Sequence, residues 1–335
     1  MKITDFEYSL PENLIAKRPV LKRDSSRLLI LHKDGTIEHR IFSDLPLYLK
    51  RGDLLILNET KVFPARLYGI KENRGRLEIL LVKKREDGCW DILSKGKYSG
   101  TLTISDNLTA EIHDGSVARL TYSGDLHEII WKHGMMPLPS YIKRRPDETD
   151  KDTYQSVFAR HEGSVAAPTA SLHFTERLIQ ELTQKGTHVA KLTLHVGIGT
   201  FKPVRVTDVK EHHMEKEYFE IKKETFRKIA TAKNTGKRVI AVGTTATRAL
   251  EGYASGAYSM SPHNGTVKGW TELFIHPGHR FEVIDSLITN FHLPKSTPLM
   301  LTAALCGKKH LMRAYKKAIA EGYRFLSYGD AMLIL

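Results

Sequence analysis

Short apolar runs near the start of the chain predict strands that are buried on both faces. Residues 27–31 (RLLIL) and 53–57 (DLLIL) are such runs, and polar or turn residues bound both of them. Continuous apolar runs of this length are typical of strands in parallel sheets, which helices cover on both sides. Residues 58–66 follow the second strand, at the place where parallel sheets carry ligand-binding loops. The pattern therefore predicts that the chain opens with part of an α/β domain.

The pattern changes between about residue 67 and residue 131, where short strand-like segments follow one another. Turn signals such as Asp114-Gly115 separate these segments. Regularly spaced short strands without helical periods predict a small antiparallel β domain. Its predicted strands are residues 77–82, 90–93, 102–104, 108–112, 117–122 and 126–131.

Helical and strand patterns alternate in the rest of the chain. Leu178, Ile179 and Leu182 share one face of a predicted helix. We expect Thr175 to cap this helix and Gly186 to end it. The other predicted elements are strands at residues 189–196, 238–242 and 283–288, and helices at 226–234, 246–253, 298–305 and 310–321. This alternation predicts a mainly parallel sheet covered by helices, and it leaves undecided whether the sheet is open or barrel-like.

The return of the α/β pattern predicts two domains, one inserted in the other. We expect residues 1–66 and 135–335 to form a discontinuous α/β domain that carries the chemistry. Residues 67–134 then form the inserted small antiparallel β-barrel domain. Residues 137–146 (PLPSYIKRRP) are the expected return linker, because their prolines disfavour a helix.

Composition and charge narrow the class of protein. Hydrophobic residues make up 41% of the 335 positions, which is enough to bury a core. The formal net charge is +13, and it is spread along the chain rather than held in a tail. This excess predicts a folded basic face and a polyanionic partner, most simply nucleic acid, although a generally basic surface is the alternative.

Cysteine usage and hydropathy predict a cytoplasmic protein. The two cysteines, Cys89 and Cys306, exclude a disulfide framework and a zinc or iron–sulfur site built on cysteines. The first six residues lack the apolar core of a signal peptide, and no stretch approaches the roughly 18 apolar residues of a membrane helix. We therefore expect no membrane partner. We also expect a monomer, because no segment has an obvious dimerisation stripe.

Candidate chemistry lies at the carboxyl ends of predicted strands. Clusters at residues 58–66, 195–201, 243–248 and 290–296 each follow a strand. If the sheet is parallel, their side chains converge on one mouth. Residues 163–175 are mostly small, apolar and hydroxyl-bearing, which would let the backbone approach a ligand closely. The alternative for any single cluster is a tight loop, since one Gly-x-Gly is a weak signal.

At these clusters the sequence resembles the S-adenosylmethionine:tRNA ribosyltransferase-isomerases of queuosine biosynthesis. The resemblance runs from residue 5 to residue 332. The most specific motifs are VAAPTA and LHFT within residues 165–175, LHVG and GTF within 194–201, and LITNFHLPKS at 287–296. The family usually has Asp, Gly, Ala, Gly and His where this chain has Glu59, Ser171, Ile198, Ser286 and Glu215. The last departure argues against an essential histidine at position 215.

The resemblance implies a reaction and its substrates. The ribosyl part of S-adenosylmethionine is transferred and isomerised onto 7-aminomethyl-7-deazaguanine at the tRNA wobble position, which gives epoxyqueuosine-tRNA, adenine and methionine. S-adenosylmethionine is a consumed substrate, and no bound cofactor or metal is implied. The sulfonium charge acidifies the ribose C5′–H, and adenine departure needs a proton donor. Such steps suit a histidine or a carboxylate whose pKa is tuned by burial.

Candidate residues for these roles follow from the same clusters. His173 and His195 are the main acid–base candidates, and His292 and Asp330 are further ones. The alternative for each histidine is an imidazole that is buried and satisfied by the fold.

Further residues are candidates for binding the substrates. Arg66 and Lys295 are candidates for holding the methionine carboxylate or an anticodon phosphate. Phe201 or Tyr328 could stack on a base. The other candidate binding residues are Asn58, Lys61, Ala167, Pro168, Thr169, Gly197, Gly199, Thr200, Thr244, Thr245, Arg248, Asn290 and Ser327.

Two other classes of protein stay open at this point. A non-catalytic tRNA- or rRNA-binding protein would use the basic surface and the β domain, but binding alone does not need His, Asn, Asp and Thr at strand ends. A phosphoribosyl- or nucleotide-dependent transferase could use Gly243-Thr244-Thr245 as a phosphate loop, although a P-loop motif is absent. The His/Glu-rich residues 212–217 could suggest a metal site, but we expect a solvated helix or loop there.

Overall fold

The computed structural model contains a ten-stranded mixed sheet and a closed barrel of six strands. It describes residues 1–197, 199, 206–256, 261–263 and 265–335. The strands are β1 Arg27–Leu31, β2 Ile37–Ile41, β3 Leu54–Asn58, β4 Thr60–Val62, β5 Arg66–Lys71, β6 Arg76–Lys84, β7 Trp90–Ser94, β8 Gly100–Ser105, β9 Leu108–His113, β10 Val117–Tyr122, β11 His161–Ser164, β12 His188–Leu194, β13 Glu217–Lys222, β14 Val239–Val242, β15 Ser261–His263, β16 Thr266–Thr271, β17 Ser286–Asn290 and β18 Ala331–Ile334. The α-helices are α1 Leu126–His133, α2 Asp150–Thr153, α3 Glu176–Gln184, α4 Lys223–Asn234, α5 Gly243–Ala254, α6 Thr297–Cys306 and α7 Lys308–Ala320.

The large sheet is open, and its parallel part lies in the centre. Its strand order is β15-β16-β13-β12-β3-β14-β17-β18-β1-β2. Strands β12, β3, β14 and β17 run parallel to one another. Strand β18 is antiparallel to β17 but parallel to β1, and the remaining pairs are antiparallel. The predicted α/β class with a small barrel is confirmed, and the parallel pairing is confined to the central strands and the β18–β1 pair.

Apolar side chains fill both faces of this sheet. Leu54 and Ile56 of β3 belong to one core, which helices α4, α5, α6 and α7 complete. Leu55 and Leu57 belong to the opposite core, which α3 completes through Leu178 and Leu182. Successive residues of a strand point to opposite faces, so a run that is apolar throughout must be covered on both sides.

The barrel consists of β5 to β10 in the order β10-β7-β6-β5-β8-β9. The predicted strand at residues 126–131 is wrong, because this segment is helix α1. Its start is set by Asp125, whose carboxylate accepts a 2.9 Å hydrogen bond from the Glu128 N–H. Ile129 and Ile130 of α1 are buried against the barrel. Within the described residues, no helix is long and apolar enough to cross a membrane.

Candidate active site

The predicted strand-end clusters meet at one edge of the large sheet. The carboxyl ends of β12, β3, β14 and β17 are neighbours there because these strands are parallel. Asn290 ends β17 and pairs with Ala331, the first residue of β18. The antiparallel direction of β18 therefore brings its preceding residue, Asp330, to the same edge from the amino end of a strand.

A cavity of about 100 Å³, here called the central cavity, lies at this edge. Its wall combines residues 166–170, the turn into α5 from Gly243 to Thr245, residues 289–293, and the side chains of Tyr154 and Ser327. A larger and more open depression of about 810 Å³ lies at the opposite edge, where Arg238 precedes β14. The chemistry favours the smaller space, because several predicted site residues, His292 and Asn290 among them, line the central cavity and none lines the depression.

His173 is 4% exposed and lines a separate cavity of about 80 Å³, together with Tyr328, rather than the central cavity. Its Nδ1 atom lies 2.7 Å from Ser26 Oγ, and its Nε2 atom lies 3.0 Å from Asn290 Nδ2. The Phe42 ring stacks on the imidazole at 5.0 Å. Burial, followed by the charges of Arg324 and Arg23, lowers the pKa of His173 to about 3. The ring is therefore neutral at pH 7.

The surrounding hydrogen bonds define which nitrogen of His173 carries the proton. Thr169 Oγ1 donates to Asn290 Oδ1 at 2.7 Å, which leaves the Asn290 amide to donate to His173 Nε2. Nε2 is then an acceptor, so Nδ1 carries the proton and donates it to Ser26 Oγ. Both ring nitrogens are engaged by the protein. The chain of bonds places Thr169 and Asn290 on the cavity wall with His173 as their support.

His292 is the predicted acid–base residue that reaches the wall of the central cavity. Its Nε2 atom lies 2.8 Å from Thr289 Oγ1. Burial lowers its pKa to about 3. Its main chain is held separately, since the Tyr8 hydroxyl donates to its carbonyl and its N–H donates to Tyr315 Oη at 2.9 Å. The imidazole is neutral at pH 7 and its backbone position does not depend on the side chain.

His195 follows β12 and is half-buried beside the first small-residue cluster. Its Nδ1 atom lies 2.8 Å from Thr60 Oγ1, and its ring stacks on Tyr218 at 5.8 Å. Nε2 has no hydrogen-bond partner among the described residues. A Cβ atom at Gly163 would lie 2.8 Å from the imidazole, so only glycine leaves room for this ring. Burial lowers the pKa of His195.

Asn58 joins the two central strands beneath the cavity. Its Oδ1 atom accepts from the N–H groups of Thr60 and Leu194 at 3.1 and 3.0 Å. Its Nδ2 atom donates to Leu194 O at 3.0 Å and to Thr245 Oγ1 at 3.2 Å. Asn58 is fully buried. It therefore orients Thr245 at the cavity wall, where Thr244 also lies.

Asp330 fastens the last loop to the sheet. It is 2% exposed and accepts from the N–H groups of Arg27 and Arg324 at 3.1 and 2.8 Å. Burial raises its pKa, and these hydrogen bonds oppose that rise. The loop presents Ser327, whose hydroxyl lies 2.6 Å from Tyr141 Oη. Tyr328 instead donates to Asp150 at 2.8 Å.

A buried ion pair supports the second glycine cluster. Arg248 Nη1 donates to Glu217 Oε2, and Glu217 Oε1 accepts from the Gly197 N–H at 3.1 Å. Gly199 lies beside Glu215, whose Cβ would be 3.1 Å from a Cβ atom at position 199. Thr200 and Phe201, two further predicted binding residues, lie outside the described residues.

Arg248 does not line the central cavity, and neither do the three other predicted cations. Lys61 pairs with Glu162 at 3.0 Å. Arg66 pairs with Glu78 and donates to Leu138 O at 3.0 Å. Lys295 pairs with Glu7 at 2.5 Å. Each is committed to a partner elsewhere, whereas Ala167 and Pro168 do belong to the wall.

Two tyrosines of the wall were missed by the sequence reasoning. Tyr141 lies in the predicted linker, residues 137–146, and Tyr154 lies beyond its end. Tyr154 is fully buried, and its hydroxyl has no hydrogen-bond partner within the described ranges. The feature of the sequence that could have indicated them is the presence of these two aromatic residues in the otherwise polar segment that follows the β domain. Among the described residues no cluster of His, Cys, Asp and Glu could hold a metal ion.

Comparisons with known proteins agree along the whole chain. The family described as "Queuosine biosynthesis protein" matches residues 3–334. Curated relatives from Thermodesulfovibrio yellowstonii and Halothermothrix orenii, each named S-adenosylmethionine:tRNA ribosyltransferase-isomerase, are 49% identical over the full length of both chains. The crystal structure of S-adenosylmethionine tRNA ribosyltransferase from Thermotoga maritima is similar with a TM-score of 0.58 and 38% identity, over 99% of this chain and 100% of that chain. The chain belongs to the queuosine biosynthesis protein family.

Proposed function

We propose that this protein transfers and isomerises the ribosyl moiety of S-adenosylmethionine onto 7-aminomethyl-7-deazaguanine at the wobble position of tRNA. The products are epoxyqueuosine-tRNA, adenine and methionine. Membership of the family supports this proposal, as do relatives that carry the name of the enzyme over their full length. The net charge of +13 suits a tRNA substrate.

The observation that carries the proposal is the make-up of the central cavity. Its described wall holds Thr, Ser, Tyr, Asn and His side chains, and no Asp, Glu, Lys or Arg. S-adenosylmethionine brings its own sulfonium charge, which this wall would leave without a counter-ion. In surroundings of low dielectric, an uncompensated sulfonium strongly favours the loss of the neighbouring ribose C5′ proton.

We assign the proton transfers to His292, the histidine on the described part of this wall. Its imidazole is neutral because burial lowers its pKa, so a ring nitrogen can accept the C5′ proton and return a proton to the departing adenine. His173 acts one step away, through Asn290 and Thr169. It is a positioning residue in this scheme.

The reaction as proposed consumes S-adenosylmethionine and uses no resident metal or redox cofactor. We also propose a cytoplasmic monomer, with residues 67–134 as the inserted domain and residues 1–66 with 135–335 as the catalytic one. Turnover that survives exhaustive treatment with a chelator supports the first point. A sedimentation mass near the 38.0 kDa of one chain supports the monomer.

The experiment that tests the function is product analysis. The protein is mixed with S-adenosylmethionine and a tRNA that carries 7-aminomethyl-7-deazaguanine, and free adenine and methionine are followed by chromatography. Adenine release in step with a mass gain on the tRNA supports ribosyl transfer. Release of S-adenosylhomocysteine would indicate a methyltransferase instead, and tight tRNA binding with no product would favour the RNA-binding class.

A further inference from the structure

Arg248 is a buried guanidinium group with an unused donor. Its side chain is 9% exposed. Nη1 donates to Glu217, and Nε donates to Leu273 O at 3.2 Å. Nη2 has no hydrogen-bond partner among the described residues. A buried charged donor without an acceptor is costly, so its presence calls for an acceptor that the described residues do not supply.

A small cavity of about 40 Å³, here called the Arg248 cavity, lies beside this group. Arg248 lines it together with Thr297 at the start of α6. Thr244, Thr245 and Pro298 line both this space and the central cavity. One extended ligand could therefore occupy both cavities.

Two helices begin at the Arg248 cavity. Thr244 and Thr245 belong to the first turn of α5, and Thr297 and Pro298 belong to the first turn of α6. Neither helix has a side-chain cap, and neither has an acidic residue in its first turn. The first N–H groups of a helix lack partners within the helix and carry partial positive charge. Both helix ends and the Arg248 donor therefore favour an anion.

Glu217 limits what that anion can be. Its carboxylate neutralises Arg248, and both of its oxygens are engaged, one by Arg248 and the other by the Gly197 N–H. Glu217 therefore holds the guanidinium group at Nη1 and leaves Nη2 for a second acceptor. A compact group such as one carboxylate suits the size of this cavity better than a phosphate ester.

We propose that the Arg248 cavity binds the α-carboxylate of the methionyl end of S-adenosylmethionine, while the nucleoside end occupies the central cavity. The inference rests on the proposed function. It gives the carboxylate to Arg248 and the starts of α5 and α6, rather than to Arg66 or Lys295, which line neither of the two cavities.

The test compares two ligands that differ by this one group. Equilibrium binding of S-adenosylmethionine and of its decarboxylated form is measured with and without saturating tRNA whose wobble guanine is unmodified and cannot accept the ribosyl group. We expect the wild-type protein to prefer S-adenosylmethionine by about tenfold or more, as for the gain of one charge-assisted hydrogen bond. The double variant R248M/E217Q removes the guanidinium without stranding a buried carboxylate. It should lose this preference while it binds the decarboxylated ligand as the wild type does.

Two further variants make the comparison specific. R238M/D53N removes a second arginine–carboxylate pair, in which Asp53 is buried and Arg238 is partly exposed, near the opposite edge of the sheet, and it should keep the preference. T297D places a carboxylate at the start of α6, where it suits the helix dipole and competes with a ligand carboxylate. T297D should weaken the binding of S-adenosylmethionine more than the binding of its decarboxylated form. It replaces R248M/E217Q in the test if that double variant fails to fold.

The outcomes separate the inference from the proposed function. Equal affinity of the wild type for the two ligands would overturn the carboxylate site and leave the function standing. A preference that persists in R248M/E217Q, or in T297D where the double variant does not fold, would also overturn it. Binding of neither ligand under any condition would contradict the proposed function itself.

Discussion

Asn290 Nδ2 donates a 3.0 Å hydrogen bond to His173 Nε2, and both residues are almost completely closed to solvent. This bond holds the imidazole as an acceptor on that side, and it turns the Asn290 carbonyl towards Thr169. A histidine with both nitrogens bound to the protein orients its neighbours. It has no free nitrogen with which to exchange protons with a ligand.

The substitution H173Q tests this positioning role. A glutamine can keep one of the two hydrogen bonds but not the ring packing on Phe42. We expect kcat/KM to fall by about tenfold at every pH, with the shape of the pH–rate profile unchanged. Steady-state kinetics between pH 6 and 9 measures this. A profile that loses one limb in H173Q would instead make His173 the group that exchanges the proton.

The low pKa of His173 also predicts how stability depends on pH. The folded-state pKa of about 3 lies below the ordinary histidine pKa of 6.5, so the unfolded chain binds the extra proton first as the pH falls. The stabilisation is complete above pH 6.5 and is lost as the pH falls towards the folded value. Between pH 6 and 4 this one group should lower the free energy of unfolding by about 1 kcal/mol for each pH unit of acidification. Urea titrations at several pH values give the free energy of unfolding as a function of pH, and its slope against pH should be shallower in H173Q than in the wild type. Identical slopes would contradict the assignment.

The histidine on the cavity wall should behave differently. In H292Q the main-chain bonds to Tyr8 and Tyr315 remain, because neither uses the imidazole. We expect an intact fold by circular dichroism and a loss of about 10²–10⁴ in kcat, the usual range for a general acid–base group. T289V is the matched control, since it removes the hydroxyl beside Nε2 and leaves the imidazole. Wild-type turnover in H292Q would remove His292 from the mechanism.

The substitution Y154F removes only the hydroxyl group of Tyr154, so it can separate an effect on catalysis from an effect on stability. Its buried hydroxyl has no partner within the described part of the chain, so Y154F should leave the free energy of unfolding unchanged within about 1 kcal/mol. If that hydroxyl forms a hydrogen bond with the substrate, Y154F nonetheless lowers kcat or raises KM. Y323F is the control, because the Tyr323 hydroxyl lies 2.7 Å from His39 Nδ1, away from the cavity. We expect Y323F to lose stability and keep kcat, and full activity in Y154F would count against Tyr154 as a substrate contact.

Much of the fold could be predicted because its signals are local. Strand β1 begins and ends at the predicted residues, and α3 is capped by Thr175 through a 3.1 Å bond from the Leu178 N–H, as expected. Apolar runs predict the buried strands since both faces of the sheet are covered. The segment at α1 was misassigned because a short apolar run fits a strand and a helix equally well, and the decisive Asp125 cap is a single side chain.

The site was predictable only in part, because its geometry depends on contacts between distant residues. Parallel strand ends correctly predicted where Asn58, Thr245 and Asn290 meet. Nothing local in the sequence indicates that β18 runs antiparallel to β17, which is what carries Asp330 to the same edge. Likewise, the partners of His173 lie 117 and 147 positions away, so the direction in which its nitrogens point could not be predicted.

The measurement that tests the central claim most directly is the fate of labelled S-adenosylmethionine. Two preparations are used, one with the label in the ribose and one with the label in the methyl group, each with tRNA that carries the 7-aminomethyl-7-deazaguanine base. Ribosyl transfer predicts that the ribose label appears on the tRNA in amounts equal to the adenine released, while the methyl label leaves with methionine. Methyl label on the tRNA with S-adenosylhomocysteine in solution, or no label on the tRNA from either preparation, would contradict it.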